Sequence, residues 1–543
     1  MGKILKTYPI LSLCLFIGIV LLPNLSLMEV SIMEARNFIT AREMITDGHW
    51  FLTTMNGEPR YEKPPLPTWL TALSALVFGV KSVFGMRLPA VLLVMLLCSF
   101  VYKLSLKLEL SKSHSLRNGF ICATSFYVIG IVLEAPWDIF THGFMMVAIY
   151  FLFQIFEKLI IRPIHVLMAG VFIGLSFLSK GPISVYALLL PFLFAYAVSY
   201  KYTHFKHKWG SILSLVITAV VIGGSWYVAV RNMDPDTFNA IAKKETGNWG
   251  SYNVRPFYYY WSFFTQSGLW TIPAFISLLY PYMKSRVSNM KAYKLSFYWT
   301  LFAVILLSVI PEKKSRYLMP VLIPLSINIG FYIEFLIQKF KTIKKGEKIP
   351  VFFNFGLIAL IGLLFPFLGY FLLKDHLEGY WVYFIIASIL LFGNGAILFN
   401  WLLKGEIKQV FLFTVLFFGF ALLTLIPLKQ SLKSDTYKPI SNLKEKADAE
   451  GLKIYKLDGI SPEMIWQFGD NIPDLILDDG VLNLPLENQF GVLFPDQSIW
   501  NKYNFIDSYD IKFREVYDLN LVDSESKKHN ARLVNYLYIF TKK

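Results

Sequence analysis

The feature that most constrains this chain is a series of fourteen apolar runs, most of them roughly 17 to 24 residues long. A helix of that length crosses the hydrocarbon core of a lipid bilayer. Charged residues make up only 16% of the 543 residues, against roughly 25% in soluble domains. This composition excludes a disordered chain, a disulfide scaffold and an ordinary soluble enzyme. The sequence therefore predicts a polytopic α-helical membrane protein.

The net charge of +15 is distributed unevenly along the chain. Residues 428–543 carry a net charge of −3, whereas the first 427 residues carry +18, placed in short loops between the apolar runs. Basic residues in short loops mark the cytoplasmic side of a membrane protein, whereas a nucleic-acid-binding protein presents them as a phosphate-tracking surface. The pattern predicts contact with membrane lipids and no nucleic-acid partner.

The same charges select which apolar runs cross the membrane. If the run at 66–80 does not cross, the inner loops hold 22 basic residues and the short outer loops hold five. The run at 66–80 then becomes an interfacial or re-entrant helix on the outer face, and the N-terminus lies inside. About thirteen transmembrane helices remain, at 8–27, 87–102, 118–133, 138–156, 165–179, 183–200, 210–230, 262–283, 295–311, 317–336, 351–373, 380–403 and 409–427.

Two long outer loops and a polar tail complete the predicted organisation. The transmembrane domain covers residues 1–429 and includes the outer loops 28–86 and 231–261. The tail at 430–543 alternates short β-like runs, such as Leu452 to Leu457, with polar stretches compatible with helices. It is predicted to form a small soluble α/β domain on the outer face.

The first outer loop contains four closely spaced charged or aromatic motifs. They are Glu34-Ala35-Arg36, Arg42-Glu43-Met44, Gly48-His49-Trp50 and Tyr61-Glu62-Lys63-Pro64-Pro65. Charges beside a membrane exit are costly unless they are paired or solvated, so the group is predicted to be functional. The prolines hold Glu62 and Lys63 in a rigid turn. For Arg36, Arg42 and Glu43, a solvated helix on the bilayer surface is the alternative.

Three later segments place charges at the predicted outer surface. They are Asp138 at the start of the fourth span, Phe177-Leu178-Ser179-Lys180-Gly181-Pro182, and Pro311-Glu312-Lys313-Lys314-Ser315-Arg316-Tyr317-Leu318-Met319-Pro320. Together with the first loop, these motifs contain every cation of the short outer loops except Lys374.

In this order, the motifs resemble those of the aminoarabinose transferases and the protein O-mannosyltransferases, which are membrane-embedded glycosyltransferases with the GT-C fold. The match covers most of the first 330 residues. The resemblance implies a glycosyltransferase that moves a pentose or hexose from a polyprenyl-phosphate donor. The implied acceptor is a lipid A-like glycolipid or a protein Ser/Thr. The resemblance also implies a bacterial inner membrane protein whose active site and C-terminal domain face the periplasm.

The chemistry of such a transfer explains these residue types. A carboxylate must take the proton of the acceptor hydroxyl or orient it, and cations must stabilise the departing phosphate. The Glu62-Lys63 pair is predicted to position the donor phosphate. The predicted phosphate ligands are Lys63, Lys180, Lys313, Lys314, Arg316 and Tyr317. The predicted substrate contacts are Arg36, Arg42 and Tyr61. Pairing of the cations with outer-leaflet phospholipids is the alternative.

The sequence departs from the family pattern at its acidic pair. The family usually has Asp-Glu, whereas this chain has Met33 before Glu34. Because Met33 cannot accept a proton, the resemblance makes Glu34 the expected base and Asp138 the residue that orients the acceptor. The His that some relatives have in the later outer loop has no counterpart here. The metal ligands are therefore unknown, no cofactor is required, and use of a divalent metal stays open.

Two other classes of function are compatible with the sequence. A multi-span transporter or flippase of lipid-linked sugars would also have many spans, although paired broken helices in two repeats are not evident. A non-catalytic cell-envelope assembly protein is compatible with Met33. Asp234-Pro235-Asp236 has the spacing of a metal-nucleotide motif, but Asp before Pro is typical of a helix start.

Overall fold

Two compact units make up the part of the chain that the computed structural model describes, residues 7–134, 136–203, 205–248, 252–476, 483–495 and 504–543. The first, which we call the helical unit, consists of Met1–Met28, Tyr61–Pro67 and Arg87–Leu428. The second, which we call the α/β unit, consists of Glu29–Arg60, Thr68–Met86 and Lys429–Lys543. Lys3 and Lys6, two of the predicted inner-loop cations, lie outside the described residues.

Long apolar helices dominate the chain, as its apolar runs predict. Within the described ranges, nine helices are long and apolar enough to cross a membrane. They are Val83–Lys107, Trp137–Glu157, Pro163–Lys180, Trp209–Met233, Met290–Val309, Ser315–Lys339, Lys345–His376, Trp381–Leu403 and Ile407–Leu432. The protein is therefore a multi-pass membrane protein.

The other four predicted spans are short or interrupted helices, so the count of thirteen stays a prediction. They correspond to Pro9–Leu21 with Leu22–Asn24, Lys112–Ala123 with Phe126–Glu134, Val185–Leu189 with Leu190–Ser199, and Phe263–Trp270 with Thr271–Ser277 and Tyr280–Met283. The run at 66–80 forms the 13-residue helix Leu66–Phe78.

Two of the interrupted helices meet at their breaks. Gly268 has a φ of +65°, and a Cβ at this position would lie 2.4 Å from the Phe126 ring, so no larger residue fits there. The Trp270 indole N–H donates a 2.8 Å hydrogen bond to Thr124 Oγ1, beside the break of the other helix. This bond between side chains joins the two helices beside their interruptions.

Glycines allow two later helices, Lys345–Leu373 and Trp381–Leu403, to pack backbone against backbone. A Cβ added at Gly395 would lie 2.7 Å from the Ala359 carbonyl oxygen, and one at Gly362 would lie 2.5 Å from the Leu391 carbonyl oxygen. Small residues at such crossings are the usual means of close helix packing in membranes.

We expect Gly395→Val to destabilise the protein by about 1–3 kcal/mol, because the added atoms collide with backbone that cannot yield. Gly393→Val is the matched control on the same helix, since a Cβ there meets nothing within 4 Å. Thermal unfolding of both variants in one detergent measures the difference. Equal melting temperatures would contradict the packing described here.

Six strands lie in the described part of the α/β unit. A hairpin pairs β1 (Thr54–Met55) with β2 (Glu58–Pro59), and Asn56 and Gly57, both at positive φ, form its turn. The larger sheet has the order β3-β4-β6-β5. Its strands are β3 (Ile454–Lys456), β4 (Gln489–Phe494), β5 (Tyr509–Asp518) and β6 (Val534–Lys542). The β3–β4 pair is parallel, and the other two pairs are antiparallel.

The larger sheet is covered on both faces, which explains why most of the first outer loop belongs to this unit. Phe38 and Met44 of the helix Ile32–Thr46 are buried in one core with Leu493 and Leu537 of the sheet. Alternate strand residues, including Val492, Phe494 and Phe540, form a second core. Burial of the helix Ile32–Thr46 thus groups most of loop 28–86 with residues of the tail, and the division into domains 1–429 and 430–543 stays a prediction.

Candidate active site

A buried ion pair forms the centre of the candidate site in the helical unit. Asp138 lies in the first turn of the helix Pro136–Glu157, and Lys180 is the last residue of Pro163–Lys180. The Lys180 Nζ donates to Asp138 Oδ1 at 2.5 Å, and the two side chains are only 8% and 3% exposed. Asp138 Oδ2 is also buried and has no hydrogen-bond partner among the described residues. An isolated buried charge is costly, so each residue stabilises the other.

Further positive charge surrounds this pair. Lys63 and Arg316 lie within electrostatic range of the Lys180 ammonium. The Lys180 Nζ lies 5.3 Å from the centre of the Tyr317 ring, and Lys314 Nζ lies 5.7 Å from that centre. The structure therefore groups Asp138 with Lys63, Lys180, Lys314, Arg316 and Tyr317. Lysine and arginine side chains grouped in this way suit a phosphate group.

The loop that carries Lys313 and Lys314 is fixed by a second loop. Val254 pairs with Glu312 in an antiparallel bridge. Lys314 forms a 2.7 Å ion pair with Glu312, which also accepts a 3.2 Å hydrogen bond from the Tyr317 hydroxyl. Glu312 thus fixes the positions of Lys314 and Tyr317.

Lys313 differs from its predicted role as a phosphate ligand. Its ammonium donates to the carbonyl oxygens of Ile310, at 2.5 Å, and Arg255, at 3.1 Å, and the residue is only 3% exposed. Burial lowers the pKa of this lysine. Because its hydrogen bonds go to backbone, Lys313 stabilises the loop rather than presenting its charge.

The Tyr61-Glu62-Lys63 segment contacts the helix Pro235–Asn248 and its N-cap. The Tyr61 hydroxyl donates a 3.0 Å hydrogen bond to Asp234 Oδ2, and Lys63 forms a 3.2 Å ion pair with Glu245. Burial, followed by the bond to Asp234, raises the pKa of Tyr61 to about 12, so the hydroxyl stays protonated. Asp234 Oδ1 accepts from the Thr237 N–H, as the predicted helix start requires.

Glu34, Arg36 and Arg42 lie in the α/β unit, on the helix Ile32–Thr46, whereas Asp138 and Lys180 belong to the helical unit. Glu34 is fully buried, and its Oε2 accepts the Ser31 N–H at 3.0 Å in a capping box. Arg42 is 3% exposed, and burial lowers the pKa of its guanidinium. Glu34 and Arg42 are thus enclosed within the α/β unit, where Glu34 caps its own helix.

One group in the described residues has the composition of a metal site. Ligand atoms of Glu43, Asp47 and His49 lie within 4.8 Å of one another. The Glu43 carboxylate, however, accepts hydrogen bonds from the Thr54 hydroxyl at 2.5 Å and from the Asn56 N–H at 2.6 Å. Glu43 therefore holds the β1–β2 hairpin, and we assign no metal to this group.

An apolar cavity of about 900 Å³ lies among the helices that carry the ion pair. Its walls include Phe177, one helical turn before Lys180, together with Leu189, Leu215 and Gly224. Such walls suit a hydrocarbon chain rather than a polar solute.

Sequence reasoning did not assign the acidic partners of the predicted site residues. Glu312, Asp234 and Glu245 each pair with a predicted site residue, and the signal for them was the presence of acids in the outer loops. His142 lies one helical turn beyond Asp138 and is 2% exposed. Its spacing of four residues from Asp138 was readable from the sequence.

Similarity to known proteins agrees with the predicted resemblance. The family described as dolichyl-phosphate-mannose-protein mannosyltransferase matches residues 62–227. The undecaprenyl phosphate-alpha-4-amino-4-deoxy-L-arabinose arabinosyl transferase 1 of Proteus mirabilis is 26% identical over 347 residues, or 61% of this chain and 60% of the relative. The corresponding transferase of Yersinia enterocolitica is 24% identical, over 70% of this chain and 68% of the relative. The chain thus matches about 60% of the length of the Proteus relative.

The fold is also that of a solved structure. ArnT from Cupriavidus metallidurans, crystallised with undecaprenyl phosphate, aligns with a TM-score of 0.67 at 14% identity, covering 99% of this chain and 98% of ArnT. The apo structure aligns with a TM-score of 0.66, covering 98% of this chain. The predicted GT-C membrane fold is confirmed, and so is the resemblance to lipid-linked sugar transferases.

Proposed function

We propose that this chain, which has the GT-C fold, transfers a sugar from a polyprenyl-phosphate donor to an acceptor hydroxyl at the outer face of an inner membrane. The observation that carries the proposal is the buried Asp138–Lys180 pair, at 2.5 Å, with the cations Lys63 and Arg316 around it. The apolar cavity beside Phe177 suits the polyprenyl tail. The names of the similar proteins support a lipid-phosphate donor.

The proposed reaction moves one glycosyl group. The acceptor oxygen attacks the anomeric carbon, the bond between this carbon and the phosphate oxygen breaks, and polyprenyl phosphate leaves. Lys180, Lys63 and Arg316 stabilise the charge that develops on the phosphate. Attack from the side opposite the phosphate inverts the anomeric configuration. The sugar, and the choice between a lipid A-like glycolipid and a protein Ser/Thr as acceptor, stay open.

Asp138 replaces Glu34 as our proposed base. The Glu34 carboxylate is enclosed and caps its own helix, whereas Asp138 Oδ2 has no hydrogen-bond partner in the described structure. Because Oδ1 faces Lys180, Oδ2 is the oxygen left to receive an acceptor hydroxyl that attacks the face of the sugar opposite the phosphate. The acceptor proton therefore passes to Asp138.

We expect Arg316→Ala to weaken binding of polyprenyl phosphate at least tenfold, because a guanidinium contributes charge-assisted hydrogen bonds to a phosphate. Lys374→Ala is the matched control, since Lys374 is an exposed cation outside the motifs. Titration of each purified variant with undecaprenyl phosphate measures the difference. Equal losses in both variants would contradict a dedicated phosphate site.

We also expect the α/β unit to face the periplasm, because inner loops hold most basic residues. Ser431→Cys and Ser113→Cys, each in a variant without Cys14, Cys98 and Cys122, test this orientation. A membrane-impermeant thiol reagent applied to the outer face should label position 431 and leave position 113 unlabelled. Labelling at position 113 but not at position 431 would show that the predicted orientation is wrong.

A further inference from the structure

The α/β unit contains a polar cavity of about 310 Å³, separate from the residues of the proposed reaction. Its walls come from four segments of this unit. The polar side chains that line it include Glu29, Tyr437, Glu463, Gln467, Asn520 and Lys528. The volume is at the lower end of the range for ligand pockets, roughly 300–1,000 Å³, and so suits one small ring.

Both carboxylates in the wall are already neutralised. Glu29 forms a 2.5 Å ion pair with Lys433. Glu463 accepts two hydrogen bonds from Arg532, at 2.7 and 2.9 Å. A metal cation would therefore have to displace paired lysine and arginine side chains. A neutral ligand with many hydrogen-bonding groups avoids this cost.

Two linked hydrogen bonds lead to the side-chain amide of Gln467, whose oxygen can still accept a hydrogen bond. The Tyr437 hydroxyl donates to Glu29 Oε2 at 3.2 Å, and it accepts from Gln467 Nε2 at 3.5 Å. Gln467 Oε1 is buried and has no hydrogen-bond partner within the described ranges. An unsatisfied buried polar atom destabilises the protein. A ligand hydroxyl can both donate and accept, so it satisfies this amide in either of its two orientations.

Asn520, another residue of the lining, is held in place by hydrogen bonds. Asn520 is 3% exposed, its Nδ2 donates to Asp518 Oδ1 at 2.7 Å, and its Oδ1 accepts the Asn530 N–H at 2.8 Å. Leu519 and Leu533 add apolar surface to the lining. A preorganised cavity with polar and apolar surfaces suits a pyranose, which has a hydroxyl rim and C–H faces.

We propose that this cavity binds one sugar ring of a glycan, with Gln467 as the central hydrogen-bonding residue and Lys528 at the rim. This binding requires no transfer reaction and goes beyond the proposed function. In the sequence, Glu29 lies five residues after Asn24, where an apolar helical segment ends. A glycan on a membrane lipid and a free sugar share the ring chemistry, so the experiment separates these two sources.

The test uses the full chain in lipid nanodiscs and saturation-transfer NMR. One arm supplies free glucose, mannose, galactose and N-acetylglucosamine, and the other supplies a hexosyl-diacylglycerol in the nanodisc. We expect saturation transfer to a sugar in at least one arm, with binding at least tenfold weaker in Gln467→Leu. Signals only in the lipid arm would identify a glycolipid, and equal signals in both arms would show that the ring alone suffices.

Gln489→Leu, an exposed change on β4, and Lys527→Met, beside Lys528 in sequence, are the matched controls and should bind as the unaltered protein does. Lys528→Met alters an exposed residue, so it tests the cavity even where Gln467→Leu fails to fold; we expect weaker binding. Saturation transfer to no sugar in either arm, or unchanged binding in the folded Gln467 and Lys528 variants, would overturn the proposal. The experiment measures sugar binding and requires no transferase activity, so its result does not depend on the proposed function.

Discussion

Asp138→Asn is expected to lower sugar-transfer turnover by about a hundred- to ten-thousand-fold, the usual contribution of a general base. Asn cannot take the acceptor proton, although it still accepts a hydrogen bond from Lys180. Because Asp138 is buried, bulk water has little access to take its place as the base. Binding of polyprenyl phosphate should change little, because the cations remain.

Turnover of Asp138→Asn is to be measured at a temperature where circular dichroism shows a folded protein. Glu34→Gln is the informative comparison, because Gln also forms a capping box and should leave turnover near that of the unaltered protein. Asp375→Asn, at an exposed turn, controls for loss of an outer carboxylate. An inactive Glu34→Gln beside an active Asp138→Asn would return the base role to Glu34.

Lys180→Met is expected to abolish transfer and to destabilise the protein by about 3–5 kcal/mol, the usual effect of breaking a buried ion pair. The substitution leaves the Asp138 carboxylate buried without its cation, since both side chains are almost fully enclosed. It also removes one of the charges that stabilise the departing phosphate. Thermal unfolding and single-turnover kinetics measure the two effects separately.

The double variant Asp138→Leu with Lys180→Met separates stability from catalysis. Replacement of a buried ion pair by apolar residues is often neutral or stabilising, so the double variant should regain most of the lost stability. Its transfer activity should remain absent. Lys374→Met, an exposed change, should affect neither property. A double variant that transfers sugar would contradict any role of the pair in the reaction.

The long helices could be predicted from the sequence because length and apolar composition alone determine whether a segment suits a bilayer. The interruptions could not, because they depend on distant contacts. Thr124 receives a hydrogen bond from Trp270, 146 residues away, and Gly268 provides the space for the Phe126 ring. No local pattern in either segment indicates these partners.

The candidate site likewise combines features that local sequence indicates with features that depend on distant contacts. Asp138 and Lys180 each lie in a motif that the resemblance selects, and their meeting follows from the fold. The role of Lys313 could not be read, because it depends on two carbonyl partners, Ile310 in the same loop and Arg255 in another loop. Glu34 is different, since Ser31 three residues before it is the signature of a capping box, and this local signal was available in the sequence.

The most direct test of the proposed transfer is the release of free polyprenyl phosphate. Purified protein in nanodiscs is supplied with a panel of polyprenyl-phosphate sugars and with lipid A and hydroxyl-bearing peptide acceptors. We expect the unaltered protein to release polyprenyl phosphate with at least one donor and acceptor, and Lys180→Met to release none. Release by the unaltered protein no faster than without protein, despite bound donor, would contradict the transferase account and favour a flippase of lipid-linked sugars.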